Sequence, residues 1–141
     1  MSNKIEDVIV SRLTSDSGVT SITDRVFGGV LPPGEVMPAI VFNIGVGTTS
    51  PSKDQASEID QGVFDLIAWS YNRSGTAGYT EAGSLIEAAR VALDKVTGSV
   101  ASVTVLNIEP IGTPEDVFNE QASDDGAYGK SQEFYYALTR T

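Results

Sequence analysis

The chain contains neither cysteine nor histidine. Those absences remove a cysteine nucleophile, a Ser-His-Asp triad, a thiolate zinc site and any imidazole-based metal site from what it can build alone. Carboxylates, hydroxyls, amines and the backbone are what remain for chemistry. Basic residues are scarce: nine Lys and Arg stand against nineteen Asp and Glu, a net charge of −10. A chain this acidic repels phosphate backbones and anionic lipid on average, which argues against sequence-specific nucleic-acid binding. No apolar run approaches the roughly 18 residues that a membrane-spanning helix needs. Acids also interrupt MSNKIEDVIVSR where the apolar core of a signal peptide would have to lie. The expectation is a protein made and kept in the cytosol, without a membrane anchor.

Of the 141 residues, 40% are hydrophobic and only 20% charged, too apolar for a disordered chain and long enough for a real core. One domain over residues 1–141 is expected. Its centre is the stretch Gly62 to Val96. Val63, Asp65, Ile67 and Trp69 fall on one face of a strand and Phe64, Leu66 and Ala68 on the other, so both faces are largely apolar and the strand belongs inside a sheet. After a turn-rich break at Asn72 to Gly78 the period changes. Tyr79, Ala82, Leu85, Ile86, Ala89, Leu93 and Val96 recur at three- and four-residue spacings and make one side of a helix. Glu81, Glu87, Arg90, Asp94 and Lys95 occupy most of the other side, and Gly98 suits a C-terminal cap.

The flanks follow the same reasoning. Asn3 and Glu6 have the spacing of a capping box, and Ile5, Val8, Ile9 and Leu13 form the stripe of a first helix that Ser15 to Gly18 stop. A short strand is expected within Asp24 to Val30. The prolines of LPPGEVMP then make a turn-rich connector. Ile40, Phe42, Ile44 and Val46 alternate with Ala39, Val41, Asn43 and Gly45, a strand that can pair with the central one across the polar segment Thr48 to Ile59. Val100 to Ile111 reads as one further strand ending near Pro110, with Val103, Val105 and Leu106 inward. Thr113 to Ser131 reads as a long irregular loop, and QEFYYALTR as a last strand with one wet face. The architecture is therefore α+β, a mostly antiparallel four- to five-stranded sheet covered by two helices.

Each chemical candidate has a plainer reading that wins. Glu58 and Asp60 share a strand face and would suit a cation or an acid/base pair, but a solvated strand end explains them. Asp124-Asp125-Gly126 lacks the acid spacing of a calcium loop, and Gly45-Val46-Gly47 lacks the third glycine and the helix of a nucleotide fingerprint. Asn72-Arg73-Ser74 is a glycosylation acceptor without a secretion signal. Asp65, if buried, needs Arg73, Arg90 or Lys95 as a partner, and an edge-of-sheet position facing solvent or a neighbouring subunit explains it equally well. Trp69, Tyr71 and Tyr79 gather near the strand-to-helix turn and would suit an aromatic binding surface, but core packing is the default for Trp69 and Tyr79. Nothing in this inventory looks like an active site; no metal or cofactor is called for.

The order of phrases resembles a known family. A short N-terminal helix, DRVFGGVLPPGEVMPAIVFNIGVG, then QGVFDLIAWSYNRSGTAGYTEAGSLIEAARVALD, a strand, an acidic loop and the closing QEFYYALTR resemble the phage tail-completion or tail-terminator proteins over nearly the whole chain. The resemblance implies a non-enzymatic structural protein of a siphophage tail, located in the virion at the head-tail interface. It implies a homo-oligomeric, hexameric ring that docks on the last ring of tail-tube protein, stops tube growth and presents a surface to a neck or head-completion protein. DNA would pass through its acidic channel without specific binding. The two acidic segments are the expected partner contacts, through Asp54, Glu58, Asp60, Glu115, Asp116, Glu120, Asp124 and Asp125. Other readings are a second neck or connector protein of the same assembly, a monomeric ligand- or peptide-binding module and a carboxylate-dependent hydrolase. The last of these lacks clustered acids.

Overall fold

The structure, a computed structural model, describes residues 5–29, 38–45, 48–50, 59–71, 76–119 and 127–139. The stripe expected on the first helix is the buried side of α1 (Ile5–Ser15): Ile5, Val8, Ile9 and Leu13 are all in the core. Asp16 separates it from a one-turn helix, α2 (Ser17–Thr20), and its carboxylate accepts from the Val19 N–H at 3.1 Å. β1 (Val26–Gly28) lies parallel to β2 (Ala39–Ile44). Within the polar segment a further short strand, β3 (Thr48–Ser50), pairs with the start of β4 (Ile59–Tyr71), and β2 pairs antiparallel with the rest of β4. The helix read in the central stretch is α3 (Thr76–Leu93), which starts inside the break expected to run to Gly78 and stops short of Val96. It is followed by β5 (Gly98–Val100), β6 (Val103–Asn119) and β7 (Ala127–Thr139).

These strands make one seven-stranded sheet in the order β1-β2-β4-β7-β6-β5, with β3 beside β4. The α+β reading therefore stands at the level of class, with more strands than expected, one parallel pair and an additional helical turn. The core lies between the sheet and the helices. Ile40 and Phe42 of β2, Phe64, Leu66 and Ala68 of β4, Phe134, Tyr136 and Leu138 of β7, and Val105 and Ile108 of β6 meet the stripes of α1 and α3. At its centre Phe64 and Phe134, directly opposed in register, stack with centroids 5.0 Å apart. No helix among the described residues is long and apolar enough to cross a membrane.

Several expectations are corrected. The left-handed residue after α3 is Lys95 (φ 61), whose N–H donates to the Ile108 carbonyl at 2.7 Å; Gly98 instead opens β5. The strand expected from Val100 is a hairpin that turns at Ala101 and Ser102, both at positive φ as a two-residue primed turn requires. Pro110 does not end β6, which runs on to Asn119. β5 pairs only with Val103–Val105, so the rest of that side of β6 is an edge among the described strands, where a proline interrupts no ladder. A bulge between Val105 and Asn107 then reverses the alternation, leaving Leu106 42% exposed and Ile108 fully buried. The expected loop Thr113 to Ser131 is strand at both ends, since 113–119 belong to β6 and 127–131 to β7.

A second irregularity separates Ile111 from Glu115. Gly112 there has φ 73, and the chain gains two residues relative to β7. The buried Gln132 side chain serves the carbonyls this leaves over, its Nε2 donating to Ile111 O at 3.0 Å and to Glu133 O at 2.9 Å.

Urea unfolding checks where the core sits. Phe64→Ala removes the stacked ring and is expected to cost about 3–5 kcal/mol. Val91→Ala, at a side chain 67% exposed on α3, is expected to stay within about 0.5 kcal/mol.

Candidate assembly surface

All the described helices pack on one side of the sheet, so strand parity and register together lay out the other side. Phe27, Val41, Ile67, Ser131 and Glu115 cross it in one row. Trp69, Gly129 and Val117 form the row on one flank of it. Asn43, Asp65, Glu133 and Ile111 form the row on the other, followed by Val63, Tyr135 and Glu109. One half of this face is apolar and the other half acidic.

The apolar half is a small second cluster: Val41 and Trp69 are buried, with Phe27, Ile67 and Val117 half-buried around them. Trp69 thus packs as expected, but away from the main core. The side chains of its neighbours Tyr71 and Tyr79 lie outside the described ones. Gly129 makes the arrangement possible. A Cβ there would stand 2.8 Å from Trp69 Cε3 and Cζ3, so the indole lies over bare β7 backbone toward Val117.

In the acidic half, Asp65 and Glu133 are direct cross-strand partners, and Glu115 faces them from β6. With Ile111, Gly112, Thr113 and Ser131 they line a concavity of about 580 Å³. The irregularity of β6 at 111–115 shapes one wall of it. Like charges directly opposite on a sheet repel, and no base lines the concavity. In β2, β4, β6 and β7 the single base among the described residues is Lys130. It lies on the helix side, 3.9 Å from where a side-chain carbon on Gly83 would sit, and pairs with Asp116. Ile111 is the one large apolar residue of the lining, which is poor material for a small-molecule pocket. No group of three or more Asp or Glu among the described residues is arranged to hold a metal ion.

The expected contact acids divide. Glu115 is exposed on the helix-free face, and its neighbour Asp116 is exposed on the opposite side. Asp60 sits in β4 between Thr49 and Leu138. It lies close enough to Tyr136 to help raise that phenol above its ordinary value of 10.0, after burial and before the carboxylate of Glu6. Asp54, Glu58, Glu120, Asp124 and Asp125 lie outside the described residues, as do Val46, Gly47 and the Asn72-Arg73-Ser74 and Asp124-Asp125-Gly126 segments. Asp65 is not at a sheet edge, and Arg90 and Lys95 belong to the helix side, across the sheet from it. Arg73 is outside the described residues. Alternation places Glu133 on the wet face of the last strand, but its meeting with Asp65 depends on a register that no local pattern encodes.

The family described as tail completion protein gp17 matches residues 7–122. Among solved structures, a chain of "Virion of native gene transfer agent (GTA) particle" is similar with a TM-score of 0.58 and 13% identity, over 94% of this chain and 92% of that one. At that identity the likeness is one of fold. No curated protein matches the chain.

One measurement probes this surface and a second the opposite side of the sheet. Gly129→Val drives a side chain into the indole and is expected to cost about 1–3 kcal/mol while shifting the emission of the lone tryptophan to the red. Unchanged emission would mean that Trp69 does not lie over Gly129. Because the folded pKa of Tyr136 is raised, the native state holds its proton longer than the unfolded chain does. Its contribution is complete below the unfolded value near 10 and is lost as pH rises through the folded value. Stability of the wild type should therefore fall more steeply above about pH 10 than that of Tyr136→Phe, measured by urea unfolding.

Proposed function

The chain belongs to the tail completion protein gp17 family, and from that premise we propose that it closes the tail of a siphovirus-type phage as a ring of identical subunits. It is a structural protein of the phage tail, and its place is in the virion tail. In the proposed reading, residues 1–141 form one domain and six copies close the ring. The ring docks on the last ring of tail-tube protein, stops tube growth and offers its opposite side to a neck or head-completion protein. The family match over residues 7–122 is the observation that carries this reading.

Other observations support its details. A net charge of −10 suits a channel through which DNA moves without adhering, because like charge keeps phosphates off the wall. The side of β6 that has no partner among the described strands is broken by Pro110, Pro114 and two irregularities, which spoil it as a template for strand addition. Subunits then join through faces and loops. Asp60, Glu115 and Asp116, with Asp54, Glu58, Glu120, Asp124 and Asp125, are the proposed contacts.

Native mass across a concentration series, alone and with assembled tail tubes, tests the reading. A species of ring mass, or capture at one end of the tube, is expected. A monomer that captures tube ends would place ring closure on the tube itself. A monomer that ignores tubes at every concentration would overturn the proposal in favour of a monomeric binding module.

A further inference from the structure

We propose that the helix-free face of the sheet is the docking surface for a basic polypeptide segment of another virion protein. Lysine or arginine side chains of that segment enter the concavity of Asp65, Glu115 and Glu133, and its apolar side chains cover Phe27, Ile67 and Val117. The inference rests on the chain being a virion assembly protein and names the chemistry of one partner.

The charge pattern selects the occupant. The charged side chains that register places on this face of β4, β6 and β7 are Asp65, Glu109, Glu115 and Glu133, all acids. The one base of those strands is on the other side, already paired. Asp65 and Glu133 are direct cross-strand partners and share the lining with Glu115, so their charges act on the same space. An incoming cation relieves a repulsion that the isolated subunit tolerates. A second copy is a poor occupant of the same face: it also carries −10, and face-to-face pairing would bring like charges together. Nucleic acid is excluded on the same ground. The polar lining disfavours a small apolar ligand, and the carboxylates are not grouped for a metal. A polypeptide matches both halves, since alternate residues of an extended segment meet the sheet with charged and apolar side chains.

The sole tryptophan lies in this face, so its emission reports occupancy directly. The probe is a short synthetic peptide alternating lysine and leucine, titrated into the full chain with a glutamate-leucine peptide as control. Expected are a shift of Trp69 emission with the lysine peptide alone, weakening as salt rises. Affinity should fall about tenfold or more in Asp65→Asn/Glu115→Gln/Glu133→Gln. Asp7→Asn/Glu87→Gln/Asp94→Asn, which removes the same charge from the helix side, should bind like wild type. Glu133→Gln alone serves if the triple variant fails to fold, with a smaller loss in the same direction.

An unmoved Trp69, equal binding of both peptides, or equal loss in the helix-side variant would overturn the proposal. So would a concentration-dependent Trp69 shift without peptide, which would make a second copy the occupant. Native mass and tube capture on the same samples separate the two readings. Rings without peptide binding would sink the docking surface alone; peptide binding without rings or tube capture would sink the ring alone.

Discussion

Everything in this fold depends on the pairing of β4 with β7. All 13 residues of β4, from Ile59 to Tyr71, have a partner in β7 without a break in register. That pairing sets Phe64 against Phe134 on the helix side and Asp65 against Glu133 on the other. A one-residue slip of β7 against β4 would turn Phe134 toward water and carry the Glu133 carboxylate into the core. Burial of Phe64, Leu66, Phe134 and Leu138 against α1 and α3 is what holds the register. The acidic concavity is therefore a by-product of the core.

Sequence patterning carried the elements that bury one continuous side. Among the described residues, the stripes of α1 and α3 and the core-facing positions of β2, β4 and β7 matched the structure, because burial and period report the same fact. What escaped was backbone geometry without a side-chain label. Ala101 and Ser102 make a turn usually made by Asn or Gly, Lys95 takes the cap position expected of Gly98, and Pro110 continues a strand because its nitrogen has no inner ladder to break. The bulge before Asn107 defeated the parity count that had put Leu106 inward. Of the candidate surface, Asp65 and Glu133 were each readable as polar positions on a strand. Their convergence was not, since it is set by pairing between residues far apart in the chain.

The two sides of the sheet divide the work. One side is committed to stability: Ser70 donates to Glu81 at 2.5 Å, and Gln132 Nε2 donates to the Ile111 carbonyl of the irregular β6. The other side keeps a small cluster around the buried Val41 and Trp69, with half-buried Phe27, Ile67 and Val117, beside unneutralised carboxylates. In a family whose members work inside a virion tail, such a side is where partner contacts can be altered without disturbing the core.

The long span of the central pairing also governs when the subunit comes into being. Ile59 meets Thr139 and Phe64 meets Phe134, so the contacts that close the sheet join segments far apart in the chain, the slow class of contact. While the chain is being synthesised, β4 leaves the ribosome with β2 on one side and bare backbone on the other. It stays so until β7 follows. The apolar run Val63 to Trp69 must wait through the making of α3, β5 and β6, and the folded subunit arrives late and all at once. A nascent chain thus has no finished surface to offer a growing tail before β7 has been made.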